Sequence, residues 1–340
     1  MKIGRLLFLL CLAAAAAHAQ PGAPAPRQTP TPRPAQDAPQ QEQGRAEVIT
    51  IREVRVPVTV VDKKGVPVTG LLKSDFQVFE DKVPQDFQFI GELKELQRLP
   101  VYVAVLMDTS YSTAGKLKFE QEAALNFLHT VTRLRKDRAA FVTFDDEVRL
   151  RQDFTTNLDL LSNAVNAVKK PGLHTALYDA VWQFCDEKMR DIGGGGRRVV
   201  VLITDGEDTY SRVTLREAIE IAQQTDTIIF SLSTKGGFTG SSVPGVEAGT
   251  VKDTGDKNLE KLAEETGGRA FFTGDMLALE RAFKRIGEEL RSQYILSYVP
   301  TNKAFDGSRR DIDVKLANKK DGWRVRAKRG YRATRDLVAP

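Results

Sequence analysis

Apolar residues along this chain follow two periods, and the switch between them divides it. From 47 to 99 the period is two. Val54, Val56, Val58 and Val60 alternate with Arg55, Pro57 and Thr59, the pattern of a half-buried strand. "DKKG" (62–65) is turn chemistry, and "VPVTG" predicts a return strand. "FQVFEDKVPQDFQF" repeats the plan, with Phe76 and Val78 before a turn and Phe87 and Phe89 after it. The two-residue period returns after Tyr294, in "YILSYVP", "RDIDVKL" and "GWRVRAKRGY". An N-terminal β segment (47–99) and a C-terminal one (294–335) are therefore expected. A sheet of few strands is marginal alone, so the two are expected to pack as one small antiparallel β module.

Between them, continuous apolar runs alternate with amphipathic helical patterns. Strands are predicted at "VYVAVLM" (101–107), "AAFVTF" (139–144), "RVVVLIT" (198–204), "TIIFSLS" (227–233) and "RAFF" (269–272). Helices are predicted from Leu117 to Leu134, near 158–168, 175–189 and 213–224, from Asn258, and over 277–291. Strands apolar on both faces belong to a parallel sheet covered by helices. The expected fold is α/β: a doubly wound, mostly parallel, Rossmann-like sheet over 100–293, flanked by the antiparallel segments.

Both ends qualify this picture. Lys2 and Arg5 precede "LLFLLCLAAAAA", and "AHA" (17–19) supplies small residues where a signal peptidase cuts, so 1–19 reads as a secretory signal peptide. Residues 20–46, rich in Pro and Gln, read as a disordered linker. No later apolar run is long enough to span a bilayer as a helix, so a secreted, periplasmic or extracellular protein is expected. Cys185 is then the one remaining cysteine, in a helical pattern, and reads as a buried small hydrophobe. Losing Lys2 and Arg5 lowers the formal net charge from +5 to about +3, too little to argue for nucleic acid. Residues 301–340 nevertheless hold 12 basic against 5 acidic side chains, with Arg324, Arg326 and Lys328 on one face of a strand opposite Trp323, Val325 and Ala327. That stripe is either a solvated outer face or a binder of anionic surface polymers.

In an open α/β sheet, ligands bind beyond the carboxyl ends of the strands. Asp108, Ser110 and Ser112 end the first α/β strand, Asp205 ends "RVVVLIT", and Thr175 lies in a loop leading into a helix on the same face. Two carboxylates and three hydroxyls, with no sulfur, suit Mg²⁺ or Mn²⁺ better than zinc or copper. Taken singly, "DTSYS" is also a helix cap and "TDG" an ordinary turn. The conjunction is the specific signal.

These three segments resemble the metal-ion-dependent adhesion site of von Willebrand factor type A (VWA) domains, over about 100–293. The flanks "VTVVDKKGVPVTGLLKSDFQVFEDKVPQ" and "QYILSYVPTNKAFDGSRRDIDVKL" are similar to the ends of a secreted bacterial VWA-related family. The resemblance implies that Asp108, Ser110 and Ser112 bind the ion directly or through water, with Thr175 and Asp205 completing the set. One position is left for a Glu or Asp carboxylate of a protein partner. It also implies adhesion without catalysis, and a last helix able to shift on ligand binding. His174 stands where many relatives have Gly, which leaves that loop's geometry open. The Gly- and Ser-rich segment 235–258 is expected on the ligand face, as a specificity loop or a disordered insertion. A metal-assisted hydrolase is the second reading, but the chain has no G-x-S-x-G, P-loop or H-E-x-x-H.

Overall fold

The computed structural model describes residues 53–91, 95, 98–131, 136–169, 171–193, 196–235, 253–273, 276–318 and 322–334. The expected signal peptide, the linker and most of segment 235–258 lie outside the described residues. No helix among the described residues is long and apolar enough to cross a membrane.

A six-stranded sheet occupies the middle of the chain, in the order β10-β9-β8-β5-β6-β7. Its strands are β5 (Val101–Asp108), β6 (Arg138–Phe144), β7 (Val148–Thr155), β8 (Arg197–Thr204), β9 (Thr227–Ser233) and β10 (Arg269–Phe272). All neighbours pair in parallel except β6 and β7. The continuous apolar runs follow from burial on both faces. Val103, Val105 and Met107 of β5 pack under α1 (Leu117–Val131), α2 (Leu158–Asn166) and α6 (Met276–Arg291). Ala104 and Leu106 pack under α3 (Leu177–Phe184), α4 (Leu215–Gln224) and α5 (Thr254–Glu265). The fold is the doubly wound α/β arrangement expected from the pattern. Cys185 is buried as expected, and burial pushes its thiol up to about 12.

The flanking strands mix in two antiparallel sheets. One has the order β13-β1-β11-β4, the other β14-β12-β2-β3. Here β1 is Val54–Val61, β2 Phe76–Glu80, β3 Val83–Gln85 and β4 Gln88–Ile90. On the C-terminal side β11 is Tyr294–Tyr298, β12 Arg309–Leu316, β13 Arg324–Ala327 and β14 Gly330–Arg332. One apolar cluster joins them, running from Val56, Val58 and Phe76 to Tyr294, Leu296 and Val314. N- and C-terminal segments thus build a single β module.

Several elements differ from expectation. Strand β7 was not foreseen: it is an edge strand with Arg149, Arg151 and Asp153 along it, so it lacks the buried apolar run. "VPVTG" makes only an isolated bridge, Val61 to Pro67. The hairpin of β2 closes on β3, through Asp81 and Lys82 at φ 48° and 69°. The Phe89 strand, β4, leaves it to pair with β11 in the other sheet. Helix α5 starts four residues before Asn258, because Asp253 caps it by accepting from Asp256 N at 2.9 Å.

The basic stripe is mostly internal. Lys328, 4% exposed, pairs with Asp226, and Arg326 pairs with Glu289 of α6 at 2.7 Å. Arg329, Arg309 and Arg332 reach Glu264, Glu265 and Glu220 of α5 and α4. These cations fasten the β module to the α/β domain. Of Arg324, Arg326 and Lys328, Arg324 alone stays exposed.

Candidate functional site

Strand β5 carries Asp108 to the carboxyl edge of the sheet, fully buried between its neighbours β6 and β8. Its Oδ1 accepts from Ser110 N at 2.9 Å, and its Oδ2 accepts from Thr204 Oγ1 at 2.7 Å. The chain then turns through a 3-10 segment, Tyr111–Lys116, that is pinned by Thr113 Oγ1 donating to the carbonyls of Asp108 and Ser110. This turn brings Ser110 Oγ and Ser112 Oγ to 3.0 Å of each other. Ser110 is buried and Ser112 exposed, so the hydroxyls lead from the floor of the site to its mouth.

Thr175 comes from a loop that is stitched on both sides. Gly172 N donates to the carbonyl of Thr109 and Ala176 N to that of Asp145, while Asp145 Oδ2 accepts from Thr109 Oγ1. On the other side the Thr175 carbonyl accepts from Thr209 N at 2.9 Å and Tyr210 N at 3.0 Å. Asp208 Oδ1 accepts from Leu177 N and Tyr178 N, capping α3, and Asp179 Oδ1 accepts from Arg212 N and Val213 N in return. The segment after β8, which holds Asp205, is therefore sewn to the Thr175 loop. Thr175 and Asp205 are 4% and 8% exposed.

Electrostatics tie the two carboxylates together. Burial pushes Asp108 up to about 6 against the hydrogen bonds from Ser110 and Thr204, and the charge of Asp205 adds to the rise. A third carboxylate lies behind them. Glu120 of α1 is fully buried, and burial, with repulsion from Asp108 and Asp205, pushes it up to about 8. Its Oε1 accepts from Thr234 Oγ1 at 2.8 Å, while Oε2 has no hydrogen-bond partner.

His174 lies along the rim. Its ring stacks on Tyr210 at 5.0 Å, and Nε2 is 4.0 Å from Asp146 Oδ1. The base of segment 235–258 is also at this edge: Lys235 pairs with both Glu207 and Asp253. Sequence reasoning missed Thr204, Asp208 and Glu120. The first two stand beside Asp205 in "LITDGED", while Glu120 has no local signal.

Two carboxylates and three hydroxyls at one sheet edge are hard oxygen donors of the kind Mg²⁺ takes. Among the described residues no three His, Cys, Asp or Glu side chains group as a metal site. Three of the five candidate oxygen donors are hydroxyls.

A doubly wound α/β domain with this donor arrangement defines a class. The sequence profile of the von Willebrand factor type A domain matches residues 103–285, more than half of the chain, and the protein belongs to that family. No curated protein sequence matches significantly. Among solved structures the chain is similar to a von Willebrand factor type A protein from Catenulispora acidiphila, at 12% identity and TM-score 0.46, covering 85% of this chain and 76% of that one. It is also similar to an aerotolerance-related membrane protein from Bacteroides fragilis, at 17% identity and TM-score 0.44, covering 56% and 98%. A third likeness is the PilB minor pilin from Streptococcus sanguinis, at 12% identity and TM-score 0.42, covering 57% and 62%.

Proposed function

We propose that this is a secreted, metal-dependent protein-binding module. In this reading Asp108, Ser110, Ser112, Thr175 and Asp205 hold Mg²⁺, or Mn²⁺ in its place. VWA domains commonly bind proteins, often with a divalent ion at such a site, and are usually not enzymes. One observation carries the reading for this chain: Asp108 is buried beside a second carboxylate and two converging hydroxyls. A buried negative cluster of this kind is costly without a cation.

Held by these five residues, such an ion would supply a Lewis-acidic contact for a Glu or Asp carboxylate of a protein partner. The chain's own residues do the rest. Thr204 and Ser110 N fix the Asp108 carboxylate, so it is preorganised before any ion arrives. The stitched 172–176 and 205–211 loops hold Thr175 and Asp205 at the same edge. Exposed Tyr111 and Leu173, with the stacked His174 and Tyr210, offer a rim against which a partner packs.

Calorimetry with Mg²⁺ and Mn²⁺ on the intact protein tests the metal. Saturable heat that Asp108→Ala abolishes is expected, and none from either ion refutes the site. A pull-down with wild type and Asp108→Ala, in Mg²⁺ and in EDTA, tests the partner. Binding that ignores both changes refutes metal-dependent adhesion.

A further inference from the structure

A second cluster of charge lies away from the metal face. Strand β10 is an edge of the six-stranded sheet, three strands from β5, or about 14 Å. A cleft of about 640 Å³ opens along it, between α5 and the β1–β13 pair of the flanking sheet. Gly65 lies in its wall, in the turn after β1, at φ +75°. A Cβ at Gly65 would stand 3.0 Å from Arg285 Nη1 and 3.3 Å from Arg269 Nη1. Two guanidinium groups from different elements thus converge on one small volume that glycine leaves open. Arg324 lines the same cleft from β13, while Arg285 lines the hollow that shares Arg269 and Phe272 with it, its Nη1 3.5 Å from the Lys64 carbonyl.

Neighbouring cations have carboxylate partners: Glu289 for Arg326 and Glu264 for Arg329. Among the described residues none forms an ion pair with Arg269, Arg285 or Arg324. Arg269 lies over the Phe271 ring at 4.8 Å. Burial holds it below the ordinary arginine range, and repulsion from Arg326, Arg285 and Arg324 adds to this while Glu289 offsets part of it. Six cations line the cleft against the three carboxylates of Asp62, Glu260 and Glu264, which leaves an excess of positive charge that a bound anion would relieve. Planar guanidinium forks match tetrahedral oxyanions. The volume exceeds that of a lone ion and suits a sugar-sized molecule. Phe272, 37% exposed, gives an apolar wall for the group that carries the charge.

We propose that this cleft binds a phosphate or sulfate group, its oxygens held between Arg269, Arg285 and Arg324 around Gly65. The site is independent of the metal centre.

The test titrates the intact protein with inorganic pyrophosphate and with a sulfated tetrasaccharide, against sodium chloride of equal ionic strength. Saturable binding is expected, weakened at least about tenfold by Arg269→Gln and by Arg285→Gln. Arg216→Gln, an exposed cation on α4, is expected to change it less than about twofold. Tighter binding of the saccharide identifies an ester on a glycan, and tighter binding of pyrophosphate a free phosphate compound. Melting gives a second readout. Arg269→Gln is expected to melt above wild type without anion, and below it at saturating pyrophosphate. No saturable binding, equal weakening by Arg216→Gln, or a lower melting point for Arg269→Gln without anion would each overturn the proposal.

Discussion

Asp208 caps helix α3 from outside it, its Oδ1 lying 2.9 Å from Leu177 N. The helix has no cap of its own, since Ala176 occupies that position without a side-chain bond. The carboxylate comes from the segment that carries Asp205, so one hydrogen bond both ends a helix and sets the spacing of two proposed ligands.

Asp208→Ala is therefore expected to destabilise the protein by about 1–2 kcal/mol, the usual worth of a good cap. Asp208→Asn, which keeps the acceptor, should lose less. Chemical denaturation in EDTA measures the stability, and equal losses in both variants would show that the cap is not the cause.

Thr204 donates to Asp108 Oδ2 and accepts from Gly206 N. Thr204→Val keeps the shape and removes both bonds. Outer-shell partners of this kind are worth about 10–100-fold in metal affinity, so Mn²⁺ titration should show a loss of that order. Thr204→Ser should recover most of it.

Glu120 gives a pH dependence of known sign. Its carboxyl is raised from 4.5 to about 8 in the fold, so the unfolded chain binds fewer protons between those values. Stability is then fully present below about pH 4.5 and is lost as pH rises through 8. Glu120→Gln removes the ionisable group. It should be more stable than wild type at pH 8 by roughly 2–4 kcal/mol, with the gain vanishing near pH 4.5. Urea denaturation in EDTA across that range is the measurement.

Glu289 and Arg326 form an ion pair at 2.7 Å with side chains 1% and 17% exposed, and none of their buried polar atoms makes a hydrogen bond. Either single alanine variant leaves one buried charge alone and should cost about 3–5 kcal/mol. The double change Glu289→Leu with Arg326→Met should cost far less, because burying a pair gains little over apolar packing. A double-mutant cycle by thermal denaturation separates the two cases.

The legible parts of the sequence were those where one force dominates. Val101–Met107 and Arg198–Thr204 are buried on both faces, so their composition alone announces a covered parallel sheet. Asp108, Ser110 and Ser112 are legible because they are local, and Thr175 and Asp205 through the resemblance to VWA domains. Strand β7 was hidden because an edge strand faces water, and its charged residues break the continuous apolar run by which the other strands announce themselves. The stripe of Arg326 and Lys328 misled because a two-residue period tells which side a residue faces, and not whether water or another domain lies there. Glu120 was invisible for a related reason: its burial depends on Thr234 and the packing of α1, far along the chain.

The α/β domain hangs from the β module by two adjacent strands, β4 before it and β11 after it, paired Ile90 to Ile295. Only Ser292 and Gln293 separate the end of α6 from β11. A strand can slide past its neighbours only in steps that keep alternate side chains inward, and a one-residue slip would turn Tyr294, Leu296 and Tyr298 out of the apolar cluster of the β module. Strand β11 is thus a ratchet tooth lodged between β1 and β4. Any small travel of α6 has to be absorbed at that two-residue joint, or the whole tether must jump a full notch.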